Sequence, residues 1–439
     1  MPAERAPIPP GPAENYSTSE NLLRWMADQF ARFGDVFKAS IYGTCVYASR
    51  DPQHAQHVLR ENCQNYVKGR AIKRIAFLLG NGLMVSEGEF WKIQRRMIQP
   101  AFHRRAIDAL TQTFTLPNVA LLEKWQAAAR NGAGVNVTRD VSGLVLEVLL
   151  KSVFGADYDR VALHFNILSE ESVRNLEFAQ GFRSLAKIVL QLAAQRRKEK
   201  TTSTDILGML MAAREPKSGK AMSDRQMVSE IKTLIVAGHE TTASTLSWIW
   251  YLLSQHPEAE KKLSRELNIL PGGNSPNLDD LVKSSYTRQI IDEATRLYPA
   301  GWLLTRKALK DDQLGDYFVP AGTEIYISPY FIQRHPDLWK DADLFDPDRF
   351  GADSSKDRPR LAMLPFSSGP RNCIGEIFAR VEMQIHLITI AKQLRLRFVE
   401  SNPPELDVGV NLRSKHDFIM YPELKAGFES PRTIQRLAR

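Results

Sequence analysis

The chain has 439 residues, 43% of them hydrophobic and 25% charged, with a formal net charge of +8, an ordinary globular composition long enough to bury a large core. Its three cysteines, Cys45, Cys63 and Cys373, are odd in number and lack CxxC spacing, which argues against a disulfide framework or a zinc site and for a reducing compartment. The positive balance suits an acidic protein partner or an anionic surface, whereas no Lys/Arg run interleaved with aromatics marks a nucleic-acid reader.

Residues 1–20 are polar and proline-rich without an apolar core segment, so they predict an extended tail on a soluble, cytoplasmic protein rather than an export signal. Residues 35–60 carry β-branched and aromatic residues between turn signals and predict a short hairpin. Residues 86–255 have mostly helical spacing. Within them Ile231 to Ser254 is apolar on nearly all sides, as a buried central helix is. His239 and Glu240 at its middle oppose a membrane-spanning reading. Residues 313–330 predict strands around a Pro-Ala-Gly turn, and helical spacing returns after Cys373. These elements predict a mostly α fold with a small β portion, in one domain over residues 1–439.

The stretch Phe366-Ser-Ser-Gly369-Pro-Arg371-Asn-Cys373-Ile-Gly375 gives the third cysteine a chemical setting. A thiolate is a strong soft metal ligand, and the N-terminus of the following helix stabilises negative charge there. Gly369 and Gly375 permit tight turns and close approach of a flat group, Arg371 offers a fixed cationic fork to a carboxylate, and Phe366 can pack beneath a metal. An isolated cysteine is more often a structural one. Five fixed positions in FxxGxRxCxG, however, coincide by chance at on the order of 10⁻⁷ per window.

This stretch resembles the haem-binding loop of the cytochrome P-450 family, the haem-thiolate monooxygenases, of the soluble bacterial type without a fused reductase. The resemblance implies that Cys373 is the axial ligand to haem iron and that the cofactor is haem b. Ala237-Gly238-His239-Glu240-Thr241-Thr242 resembles the family's oxygen-binding stretch. It implies room for dioxygen at Ala237 and Gly238, and a proton relay through Glu240 and Thr241. A mid-helix threonine can instead bond the carbonyl of the preceding turn. Glu293 and Arg296 match the family's ExxR, and Arg349 in Asp-Pro-Asp-Arg349-Phe is the third member of the buried structural triad this implies. Trp91 and Arg95, one turn apart, resemble WxxxR, whose members reach a haem propionate, and Arg306 matches another propionate-contacting position. The motifs occur in the family's order from Trp91 to Gly375. PDRF stands for the commoner PERF, and Thr295 for a usual leucine. The stretch from Phe154 to Leu207 is some tens of residues shorter than the family's pocket roof, which implies either a short lid or missing residues.

The resemblance implies hydroxylation or epoxidation of a small organic substrate with O2. Pocket positions fall at Phe77, Leu78, Met84, Leu234, Ala237, Trp302 and Leu303, and their character implies an apolar substrate such as a fatty acid, terpenoid or steroid. The chain has no GxGxxG segment and no iron–sulfur cysteine cluster. Electrons must then come from NAD(P)H through a separate ferredoxin or flavodoxin with its reductase, docking on a basic face to which Lys92, Arg95, Arg96, Arg104 and Arg105 contribute. The protein is expected to be a monomer. Alternatives from other classes are a peroxygenase driven by H2O2, a non-catalytic haem sensor, and Cys373 as a non-haem nucleophile.

Overall fold

A computed structural model of the chain describes residues 6–16, 21–165, 176–270, 276, 278–352, 358–400 and 402–426. The principal helices are α1 (Leu22–Phe33), α2 (Gly88–Ile98), α3 (Thr111–Arg130), α4 (Val137–Phe154), α5 (Leu176–Glu199), α6 (Asp224–Gln255), α7 (Pro257–Ile269), α8 (Ser285–Leu297) and α9 (Glu376–Ala391). Helix outweighs strand, as the sequence predicts. No described helix is long and apolar enough to cross a membrane.

The ends of α6 follow from side-chain chemistry. Ser223 caps it by accepting the Gln226 N–H, Asp224 sits in the first turn, and Pro257 stands two residues beyond its last residue, Gln255, as capping and helix-dipole preferences dictate. Its middle is sealed on most sides. Leu234, Ile235, Leu246, Trp248 and Ile249 are all buried in the main hydrophobic core, so the apolar circumference reflects protein rather than lipid. Helices α4, α8 and α9 contribute to the same core through Leu149, Ile291 and Ile385.

A five-stranded sheet lies at one edge. It comprises β1 (Val36–Ile41), β2 (Thr44–Ser49), β3 (Tyr66–Lys68), β4 (Leu304–Ala308) and β5 (Glu324–Ile327), in the order β1-β2-β5-β4-β3. The predicted hairpin is β1–β2, closed by Tyr42 and Gly43 with φ of 49° and 71°, the two-residue turn whose twist matches the strands. β5 and the strand Tyr317–Val319 flank the Pro-Ala-Gly turn, where Gly322 has φ of 90°. A second hairpin, β6 (Leu406–Val408) with β7 (Leu412–Ser414), packs on α6.

One expectation needs correction. The N-terminal segment is not a free tail where it is described. Lys38 N–H donates to Pro10 O at 2.8 Å and Tyr16 N–H to Ser40 O at 2.9 Å, so residues 6–16 lie against β1. The rest of the predicted tail, residues 1–5 and 17–20, lies outside the described residues. Between Phe154 and Asp205 the described residues hold the helix Tyr158–Ala162 and α5, and residues 166–175 of the short stretch lie outside them.

Candidate active site

Cys373 lies between a tight 3-10 turn, Gly369–Arg371, and the start of α9. The loop folds this way because two positions accept positive φ, Ser367 at 61° and Gly369 at 75°. A Cβ at Gly369 would sit 1.9 Å from Leu59 O, so both conformation and space demand glycine. Cys373 N–H donates to Phe366 O at 2.9 Å. The sulfur is open to water, yet enough protein surrounds it that burial pushes its thiol up. The Gly375 N–H and Arg95 pull the other way. A water-accessible sulfur with a backbone N–H pointing at it suits a soft metal ligand. Phe366 is partly buried beside it, with the Arg380 guanidinium 4.9 Å from its ring centroid.

Above the loop the structure assembles a cationic cluster. Lys68 on β3 and Arg306 on β4 are direct cross-strand partners. Like charges so placed repel. Arg371 joins them, donating to Ser86 O at 2.9 Å, pairing with Glu87, and lying 4.2 Å from the Trp91 ring centroid. Arg95 donates to Asn372 O and Oδ1 at 2.9 Å each. Burial first, then repulsion from Arg371 and Arg306, drops the Lys68 ammonium to about 7. Burial and Arg371 lower Arg306 to about 10. Four basic side chains, Lys68, Arg95, Arg306 and Arg371, thus gather in a partly buried site around one carboxylate, Glu87. That surplus is costly until an anion enters, and the two propionates of a haem fit it in charge and chemistry. Lys68 and Glu87 were not visible from the sequence, because no local pattern announces a cross-strand neighbour.

The structural triad forms. Arg296 and Glu293 pair at 2.6 Å and 2.8 Å with both side chains fully buried. Arg349 Nε stands 3.3 Å from Glu293 Oε1. Arg296 also donates to Gln333 O, Ala342 O and Leu344 O, so its charge is fully clothed.

The α6 stretch differs from the relay arrangement. Thr241 Oγ1 donates to Ala237 O at 2.7 Å, the local helix bond that a mid-helix threonine commonly makes. Glu240 turns to the β6–β7 hairpin: Oε1 accepts from Arg413 at 2.7 Å and Oε2 from Asn411 at 2.9 Å. Gly238 does not open space for a ligand. A Cβ there would meet Leu149 Cδ2 at 3.2 Å, so its bareness serves the α4–α6 contact.

The pocket positions separate. Phe77 is 96% exposed and Leu78 46% exposed, on a short surface helix, and so neither lines an interior pocket. Trp302 is 3% exposed in the N-terminal aromatic core, its indole N–H bonded to Gly409 O at 3.0 Å, and Leu303 packs on the same core. Both are structural there. Leu234, on α6, is part of the main core, and Met84 packs against that core. Of the basic face, Lys92, Arg96, Arg104 and Arg105 are exposed, Lys92 pairing with Glu89 at 3.3 Å. Arg95 turns inward and leaves that face.

A family model described as "Cytochrome P450" matches residues 10–180 and 160–419. The chain is 32% identical over 385 residues to the cyclooctat-9-en-7-ol 5-monooxygenase of Streptomyces melanosporofaciens, with 83% of each chain covered. It is 31% identical over 384 residues to the pentalenene oxygenase of Streptomyces avermitilis, covering 83% of this chain and 84% of that one. Among solved structures, the cytochrome P450DA haem domain superposes with a TM-score of 0.83 at 24% identity, covering 96% of this chain and 98% of that one. That last likeness speaks for the fold alone.

Proposed function

The chain belongs to the cytochrome P450 family and is a P450 monooxygenase, and from that premise we propose that it oxidises a small apolar terpenoid, inserting one oxygen atom by hydroxylation or epoxidation. The observation that carries the site assignment is the open Cys373 sulfur near a partly buried cluster of four basic side chains. Support for the substrate class comes from the two Streptomyces relatives, whose names specify terpenoid oxidation. We further propose haem b as cofactor, NAD(P)H as electron source through a separate ferredoxin or flavodoxin, and one catalytic domain acting as a monomer in the cytoplasm. Free Cys45, Cys63 and Cys373 support a reducing compartment.

In this reading Cys373 would ligate the haem iron through its sulfur, and Lys68, Arg95, Arg306 and Arg371 would hold the propionates. Bound haem supplies the iron that binds and activates O2 with electrons from outside. The protein's own work is then positional. The Gly375 N–H and Arg95 temper the charge on sulfur. Trp91 backs Arg371 through its ring face. Leu234 and Ala237 present an apolar wall of α6 that excludes bulk water. Thr241 and Glu240 are the groups of this wall that hold and move protons, each starting from the partner described above.

Substrate-induced spectral shifts of the haem-loaded protein test the class. A panel of cyclic terpenes, fatty acids and steroids is titrated, and binders are turned over under 18O2 with a ferredoxin and its reductase. A terpene that binds and gains one labelled oxygen is expected. Labelled products from fatty acids or steroids only would overturn the terpenoid assignment.

A further inference from the structure

Residues 80–87 join α6 to the cationic cluster. At one end they are fastened to the helix. Glu230 Oε2 accepts the Leu83 N–H at 2.8 Å, and Gln226 Nε2 donates to Asn81 O at 3.1 Å and to Glu230 Oε1. The approach is close, since a Cβ at Gly80 would stand 2.5 Å from Ser229 Oγ. At the other end the same segment holds two of the cations. Met84 O accepts from the Lys68 ammonium, and Ser86 O accepts from Arg371 at 2.9 Å. Glu87 pairs with Arg371 and accepts the Lys68 backbone N–H at 2.8 Å. Ser86 is 2% exposed, and its hydroxyl has no hydrogen-bond partner among the described residues, so one more donor is left for an incoming anion.

Between the two ends lies one closed turn. The N–H groups of Val85 and Ser86 both donate to Gly82 O at 2.9 Å. Leu83 is buried in the main core, and Met84 and Val85 pack against it. The path from the Leu83 amide to the Met84 and Ser86 carbonyls therefore has little slack, because each residue along it is tied by a hydrogen bond or by packing. The cations need such a mounting. Lys68 and Arg306 are cross-strand neighbours and Arg371 lies with them, so they repel and keep one arrangement only while acceptors hold each of them. Arg306 has its own, Thr305 O at 2.9 Å. Lys68 and Arg371 take theirs from the strap.

Resting on the monooxygenase reading above, we propose that Glu230 and Gln226 are positioning residues for the propionate site. Through the 80–87 strap, α6 fixes the carbonyls on which Lys68 and Arg371 are held, and so sets how firmly haem is retained. Groups that orient the binding side chains of a site govern its affinity although they never touch the ligand. Glu230 suits the task because it is fully buried on α6. The Leu83 bond needs only an acceptor oxygen, which a glutamine also supplies and a leucine does not.

The test uses the haem-loaded protein as wild type, Glu230→Leu, Glu230→Gln and Gln226→Leu, with Glu230→Leu also placed on Lys68→Met. Haem loss is timed by transfer to an excess of a haem-scavenging apoglobin, and the unfolding midpoint is measured alongside. Leu263→Ala, a cavity in the core at α7, controls for lowered stability alone. Glu230→Leu is expected to release haem roughly tenfold faster, and Glu230→Gln to stay within about twofold of wild type. Leu263→Ala is expected to unfold more easily without a matching gain in haem loss. On Lys68→Met the Glu230→Leu change is expected to add about threefold or less, because one of the strap's two cations is already gone. A wild-type rate in folded Glu230→Leu, an equal acceleration in Glu230→Gln or Leu263→Ala, or an undiminished effect on Lys68→Met overturns the proposal. Should Glu230→Leu fail to fold, Gln226→Leu carries the comparison through Asn81 and is expected to release haem about threefold faster, and a wild-type rate there overturns it. A haem-loaded wild type without the thiolate signature in its carbon monoxide spectrum would instead count against the monooxygenase reading itself.

Discussion

Single atoms decide the cofactor site. Gly369 is the sharpest case, because positive φ and a backbone oxygen 1.9 Å from where a Cβ would stand act together. Gly369→Ala is expected to abolish stable haem loading, read as the ratio of Soret to protein absorbance. Wild-type loading would show that the loop can re-form around a side chain. Lys68 gives a prediction of a different kind. With its ammonium lowered to about 7 by burial and by Arg371 and Arg306, it is mostly neutral at pH 8. Two incoming carboxylates favour its charged form, so binding draws a proton onto it. Calorimetry in buffers of differing ionisation enthalpy is expected to show about one more proton taken up per haem by wild type than by Lys68→Met at pH 8. Equal uptake would remove Lys68 from the propionate site.

At the scale of elements, the strongest joints are polar bonds inside apolar contacts. The fully buried Glu293–Arg296 pair lies on α8, and Glu293 ties that helix to the loop ending at Arg349 by accepting the Asp346 N–H at 2.8 Å and standing 3.3 Å from Arg349 Nε. Glu293→Gln leaves a buried guanidinium without its counter-charge and is expected to cost ~3–5 kcal/mol, seen as loss of soluble folded protein. A second joint pins residues 80–83 to the first half of α6. Glu230 is fully buried and accepts the Leu83 N–H at 2.8 Å, while Gln226 bonds both Glu230 and Asn81 O. Gly80 and Gly82 allow the approach, since a Cβ at Gly82 would stand 2.2 Å from Thr233 Oγ1. Burial raises the Glu230 carboxyl from its ordinary 4.5 to about 7. A raised acid favours the neutral form in the fold. Its contribution is therefore complete below about pH 4.5 and is lost as pH climbs through about 7, on the order of 3 kcal/mol in all. Glu230→Gln is expected to flatten that part of the stability-versus-pH curve in chemical unfolding. An unchanged slope between pH 4.5 and 7 would contradict the assignment.

For the whole molecule, what was legible in the sequence is what is local in the chain. The Cys373 loop, the β1–β2 hairpin, the greasy α6 and the Glu293–Arg296 pair each lie within a few turns, and each forms as their spacing predicts. Charges that meet across the fold left no local trace. Lys68 reaches Arg306 only through strand pairing, and Arg413 reaches Glu240 over 173 positions of sequence. Four of the pocket positions, Phe77, Leu78, Trp302 and Leu303, failed for the same reason, since helix pattern alone does not say that Phe77 faces solvent or that Trp302 seals another core. The exposed Lys92, Arg96, Arg104 and Arg105 belong to this scale too. If they receive an acidic electron donor, reduction by ferredoxin is expected to slow several-fold as salt rises from about 0.05 to 0.5 M, and a flat profile in stopped-flow would exclude that face.

Everything at the three scales converges on one sulfur. The carbon monoxide difference spectrum of the dithionite-reduced, haem-supplied protein, taken for wild type and Cys373→Ala, tests it most directly. A strongly red-shifted Soret band in wild type, absent from the Cys373→Ala protein, is the predicted result. A haem-loaded wild type without that shift, or a Cys373→Ala protein that keeps it, would contradict thiolate ligation by Cys373.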